Sequence, residues 1–216
     1  MPLELTQSRR RNLSIQEGFM RERLEDGTIN QFNKLSGVHL VKITFRKVES
    51  KEDGRYIGDV IQFHLIDATD YFVLETWLNS SYARGFFQVM ASFEVGHESR
   101  WATLQYTRNE KKKAYLNIYQ YGEQLPWSYT RDNMQDCPPL DVSTGPGGKT
   151  IYNSDLQDAF FLTKLEAVIA ELESTPNPFP NHPLFESRSG TAPTESQTVN
   201  TAPPAYSEPE EDDLPF

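Results

Sequence analysis

Between Val38 and Tyr121 the apolar residues recur every second position, the period of a half-buried strand. Val41, Ile43 and Phe45 alternate with Lys42, Thr44 and Arg46, and Lys51-Glu52-Asp53-Gly54 then marks a hairpin turn. A second strand is predicted over Tyr56–Ile66, with Ile57, Ile61, Phe63 and Leu65 on one face. After the short turn Asp67–Asp70, a third runs over Tyr71–Leu78. It places Phe72, Leu74 and Leu78 inward and Tyr71, Val73 and Trp77 outward. The pattern then breaks. Asn79-Ser80-Ser81 supplies helix caps, and Tyr82, Phe86, Phe87, Val89, Met90 and Phe93 follow at mixed helical spacing. A fourth strand, Arg100–Arg108, turns Ala102, Leu104 and Tyr106 to the core. A fifth, Ala114–Tyr121, turns Leu116 and Ile118 inward and Tyr115, Asn117, Tyr119 and Tyr121 outward.

The flanks read differently. Residues 1–36 are polar and charged, with Ser8-Arg9-Arg10-Arg11 before a short helix expected within Ser14–Glu25. That segment is either an arm that meets phosphates or a helix that lies on the body. Residues 122–153 are rich in turn formers and show no period. Ser154–Glu173 has the clearest helical stripe: Phe161, Leu165, Val168 and Leu172, with Leu162 and Ile169 beside it. Ser154 and Gln157 have capping-box spacing. This helix packs on the body or serves self-association, so a homo-oligomer is left open. Beyond Glu173, Pro176, Pro178, Pro180 and Pro183 forbid a helix. Ser189–Glu208 is too poor in apolar residues to order itself.

Three meandering strands, a helix and a two-stranded hairpin make the element order of an OB-fold. The expected fold is therefore mainly β: a five-stranded OB-fold-like barrel with a short helix after the third strand, a C-terminal amphipathic helix and a disordered acidic tail. A generic small barrel is the competing reading. The expected divisions are a basic arm or helix over 1–36, the OB domain over 37–130, a connector and helix over 131–173, and a linker with an interaction tip over 174–216.

Charge sharpens this division. Of a net −10, residues 174–216 contribute seven acids against one base, Arg188, which leaves the other 173 residues at −4. Whole-chain acidity is thus mainly a property of the tail and does not exclude an anionic ligand for the body. Cys137 is the single cysteine, so no internal disulfide can form. No apolar run approaches a membrane span, and no apolar stretch follows the basic start as it would in a secretion signal. The expectation is a cytoplasmic protein, of a bacterial cell or a phage-infected host, with no membrane partner.

Catalytic chemistry is not expected. His39, His64, His97 and His182 lack metal-ligand spacing, and Cys137 sits before Pro138-Pro139 without a nearby base. Ser143–Thr150 approaches a phosphate loop. However, Ser143 stands where its first glycine belongs, and Pro146 removes a backbone donor. No enzyme, cofactor or metal is expected. A nuclease would need an acidic cluster, and the acids of the body are scattered.

What the body offers is rings and cations on strands. Trp77, Trp101, Tyr115, Tyr119 and Tyr121 are expected on the outward face, among Lys42, Arg46, Arg100, Arg108, Lys111, Lys112 and Lys113. Unpaired bases stack on flat rings while cations follow the phosphates, and no base code is needed. Single-stranded DNA is the expected ligand.

The chain ends Glu210-Glu211-Asp212-Asp213-Leu214-Pro215-Phe216. This resembles the acidic C-terminal tip of bacterial single-stranded DNA-binding proteins, and phage replication proteins of this class also end acidic tails in an aromatic. The resemblance covers the last six or seven residues and the layout, not the body, whose opening strand departs from the bacterial family. It points to a phage-encoded or divergent member acting in replication, recombination and repair. It implies that the tip recruits replication and recombination enzymes. Phe216 and its carboxylate would enter a pocket with a basic group, Leu214 would add apolar contact, and Pro215 would stiffen the approach. Asp212 and Asp213 would meet a basic rim. The alternative is an adaptor whose barrel binds protein and whose tail mimics such a tip.

Overall fold

The computed structural model describes residues 9–108, 111–130 and 133–182, with the backbone alone for 105–108 and 111–113. Nine strands form one sheet: β1 (Arg10–Gln16), β2 (Phe19–Arg23), β3 (Ile29–Phe32), β4 (Lys34–Glu49), β5 (Tyr56–Ile66), β6 (Tyr71–Trp77), β7 (Ser99–Arg108), β8 (Lys111–Gln120) and β9 (Glu123–Gln124). Their order is β3-β2-β1-β6-β5-β4-β7-β8-β9. The sheet curls into an open half-barrel. Helix α1 (Ser81–Val89) follows β6, and α2 (Asp155–Ser174) follows a separate hairpin of β10 (Asp141–Thr144) and β11 (Thr150–Asn153). No helix among the described residues is long and apolar enough to cross a membrane.

The five expected strands are β4 to β8, with α1 after the third, an order consistent with an OB-like fold. The sheet is larger than expected because the N-terminal segment is not helical. Residues Ser14–Glu25 form the end of β1 and all of β2, joined by the two-residue turn Glu17-Gly18. Both turn residues have positive φ, 49° and 78°, the sign a tight hairpin with right-handed twist requires. Leu13 and Ile15 before the turn and Met20 after it face the core. β1 then adds to β6 in parallel, pairing Arg10 with Tyr71 and Leu13 with Leu74. The hairpin turn is tied across the open side of the sheet. Gly18 N donates to Tyr82 Oη of α1 (2.7 Å), and Thr103 Oγ1 of β7 donates to Gly18 O (2.8 Å).

β4 is bent and serves two partners: its start pairs with β7 and the remainder with β5. A register shift between Leu40 and Lys42 inserts Val41 as an extra residue, so the core residues read Val38, Leu40, Ile43. Val41 is displaced from the inward row in which its spacing placed it. Phe45 continues that row but lies beyond the core, with 46% of its surface exposed.

Helix α1 fills the half-barrel. Ser80 Oγ caps it by accepting from Ala83 N (3.2 Å), as the Asn-Ser-Ser run anticipated. Phe86 meets Phe63 of β5 and Trp101 of β7, at ring separations of 4.8 and 5.7 Å. Gly85 lets the helix reach the backbone of β8. A Cβ there would lie 2.7 Å from Leu116 O and 2.9 Å from Leu116 N.

Helix α2 buries Phe161, Leu165, Val168 and Leu172. Its capping box does not form. Ser154 Oγ donates instead to Asp158, and Gln157 Nε2 reaches Pro138 O. The chain after α2 is non-helical, as the prolines require, yet it stays on the body through His182. Phe179 packs with Val41 against Ile66, Tyr71 and Val73, and its ring meets His39 edge-on at 5.5 Å. His182 is buried, with Nε2 3.3 Å from Thr69 O. The body therefore extends beyond the expected boundary at 174, and β6 is covered on both faces. The remaining linker and the tip, 183–216, lie outside the described residues.

Candidate nucleic-acid interface

On β8 the core takes Leu116 and Ile118, leaving Tyr115, Asn117 and Tyr119 on the outer face. β7 lies antiparallel beside it and places Arg100 opposite Tyr119, Ala102 opposite Asn117 and Leu104 opposite Tyr115. The Arg100 guanidinium stands 3.6 Å from the Tyr119 ring centre. A contact of that kind contributes roughly 0.5–1 kcal/mol where solvent reaches it. Tyr119 Oη donates to Gln124 Oε1 (3.4 Å), and Gln124 Nε2 donates to Asn117 Oδ1 (3.2 Å), so the row is linked by its polar ends.

Trp127 extends this row, although residues 122–153 show no period from which to place it. The chain turns at Gly122, and Leu125 N returns to bond Ile118 O (2.9 Å). Trp127 thereby arrives beside Tyr115, ring centres 5.4 Å apart. Its buried indole N–H has no hydrogen-bond partner among the described residues. The available signal was the Tyr121-Gly122 turn, which makes residues just after 122 neighbours of those just before it.

Trp101 does not belong to this surface. It is fully buried, stacked on Phe86, with Nε1 donating to Ser99 Oγ (2.9 Å). The inward face of β7 is Trp101 and Thr103, while Leu104, expected inside, is 45% exposed. Apolar residues occupy both parities of this strand, so alternation alone could not choose. The large ring took the core because Ser99 satisfies its one polar atom. Tyr121 leaves the row as well. It sits at the β8–β9 turn with φ 55° and 68% exposure. Its hydroxyl donates to Glu94 Oε2 (2.7 Å), and this bond raises the phenol pKa.

The outer faces of β4, β5 and β6 form a second area. Lys42 and Arg46 of β4 are exposed there, and Trp77 of β6 is half-buried, its ring across Gly58. Arg46 is not free of partners: Nη2 donates to Glu75 Oε2 at 2.9 Å. Phe179 and the segment around it cover the far end of this area. The side chains of Arg108, Lys111, Lys112 and Lys113 lie outside the described residues. Among those described, no three His, Cys, Asp or Glu side chains are grouped to hold a metal ion.

Flat rings, a guanidinium parked on one of them, and amide groups between them suit stacking and phosphate pairing. Comparisons with protein-family models, with curated proteins and with solved structures found no match.

Proposed function

We propose that this chain is a non-catalytic, largely sequence-independent single-stranded DNA-binding protein of replication, recombination or repair, with an OB-type body. The observation that carries the reading is the outer row on β7 and β8. Arg100 lies over Tyr119 on the outer face, and Tyr115 lies beside Trp127, which also packs against the core. Bases stacked on such rings gain roughly 1–3 kcal/mol each, and the cations beside them follow the phosphates. The acidic tip Asp212-Asp213-Leu214-Pro215-Phe216 supports recruitment of partner enzymes through its resemblance to single-strand-binding tips.

Titration with oligo(dT), read by tryptophan fluorescence, tests the body. The expected result is quenching, an affinity that falls steeply with salt, and a loss of about 1–3 kcal/mol in Tyr119→Ala. Equal affinity for duplex, or no salt effect, would refute it. A second reading is an interaction adaptor whose body binds protein. It draws on the hairpin β10–β11, which turns Val142, Ile151 and Tyr152 to solvent. An adaptor of this kind gives no fluorescence change with oligo(dT).

A further inference from the structure

The hairpin of β10 and β11 stands apart from the main sheet, and among the described residues no third strand joins it. Every residue of β10, and all of β11 but Thr150, is exposed. A two-stranded hairpin is marginal in water unless further strands or a helix complete it. Val142 and Tyr152 are cross-strand partners on one face, and both are open to solvent. Ile151, on the opposite face, leans on its own turn: a Cβ at Gly145 would lie 2.5 Å from its Cδ1.

The two edges of the hairpin differ. Pro138 and Pro139 lie just before β10, Asp141 opens it and Pro146 lies just after it. Prolines and charges of this kind blunt an edge against further pairing. β11 is Thr150-Ile151-Tyr152-Asn153, with no charge and no proline. Its backbone groups alternate in direction. Gly145 N donates to Lys149 O (2.7 Å), so Lys149, Ile151 and Asn153 turn theirs to β10. Thr150 and Tyr152, the residues between, turn theirs to the open edge.

We propose that β11 pairs antiparallel with β11 of a second copy of this chain, about a two-fold axis at Tyr152. The product is one four-stranded sheet, with the blunted β10 at both outer edges. Charge selects the register. Lys149 and Asp155 stand three residues before and three after Tyr152. The two-fold therefore sets Lys149 opposite the partner's Asp155, and does so twice. An axis at Ile151 would set Lys149 opposite Asn153 and lose both pairs. With the axis at Tyr152, the outward N–H and C=O of that residue bond their own symmetry mates. The Val142 and Tyr152 side chains of the two copies then join in one apolar patch. Pairing of short edges buries little area, so the association is a weak one. It does not depend on what the outer row of β7 and β8 binds.

Sedimentation equilibrium of the full chain over about 1–300 μM tests the proposal. The expected result is a mass that rises with concentration from 24.8 kDa toward twice that value. Tyr152→Pro removes an N–H that only the pairing uses and leaves the hairpin's own ladder intact, so this variant is expected to stay monomeric. Lys149→Glu sets acid against acid and is expected to weaken the dimer roughly tenfold, and adding Asp155→Lys to it restores association. Urea midpoints measured at low concentration check that each variant keeps a folded body. A monomer at every concentration overturns the proposal and leaves the hairpin to a different protein. A dimer that persists in Tyr152→Pro overturns it as well, as does a double variant no tighter than Lys149→Glu alone.

Discussion

Arg11 shows how far a single residue can depart from its sequence neighbourhood. It stands in a run of three arginines that reads as an arm for phosphates, yet only its neighbours remain outside. Its guanidinium grips Glu22 with two bonds, Nε to Oε1 at 2.9 Å and Nη2 to Oε2 at 2.7 Å. Asp70 adds a third contact at 3.4 Å, and the rings of Phe32 and Phe72 flank the cation at 5.1 and 5.3 Å. The bond from Arg11 holds Glu22 below the usual carboxylate range, although burial opposes the shift. A carboxylate whose folded pKa is depressed stabilises the protein at neutral pH, and that stabilisation is lost as pH falls through the folded pKa. Glu22→Gln is expected to lower stability by about 2–3 kcal/mol at neutral pH, because it leaves a largely buried guanidinium with only the longer contact to Asp70 as counter-charge. The gap between variant and unaltered chain should narrow in urea titrations as pH falls below the ordinary glutamate range. A gap independent of pH would show that packing, not charge, holds this corner.

At the scale of elements, the legible parts were those whose pattern had one solution. β5 kept Ile61, Phe63 and Leu65 inward, although Ile57, expected with them, is 41% exposed; β8 kept Leu116 and Ile118, and α2 kept its stripe. Three features were hidden for separate physical reasons. The bulge at Val41 shifts parity within a strand, and no single-strand pattern reports a partner's register. Glu17-Gly18 is a turn whose conformation comes from tertiary context, so Ile15 and Phe19, four apart, imitated a helix. Trp101 and Leu104 compete for opposite faces of β7, and the choice depended on a hydroxyl two residues away. The outer row on β7 and β8 was half legible in consequence: Tyr115 and Tyr119 are where alternation put them, Arg100 lies outside because the parity of β7 is the reverse of the expected one, Trp101 is inside for the same reason, and Trp127 had no signal. Element packing also gives a sharp test. Gly85→Ala forces α1 away from the β8 backbone, which cannot yield as a side chain can. The expected cost is about 1–3 kcal/mol in denaturant unfolding, with cooperativity retained. A neutral effect would mean that the helix has room to slide.

For the molecule as a whole, charge and composition separate a body from a tail that carries seven of the chain's acids in 174–216. If the tip recruits partners, Phe216→Ala should leave oligonucleotide affinity unchanged and abolish pull-down of replication enzymes by the immobilised protein. Retained pull-down would refute recruitment through the tip. The sheet holds a further consequence, in time rather than in space. β4 pairs with β5 and β5 with β6 as neighbours in sequence, but β1 joins β6 across about sixty intervening residues, and β4 joins β7 across a similar span. Closing a segment of that length carries an entropy cost that must be met before its contacts return anything. The hairpin β1–β2 is made before β6 during synthesis, yet it has nowhere to dock until β6 has emerged and paired. This hairpin, like β7 on β4, is therefore expected to join the sheet late. Until then, the apolar side of that hairpin and the open edge of β6 remain exposed to each other's competitors.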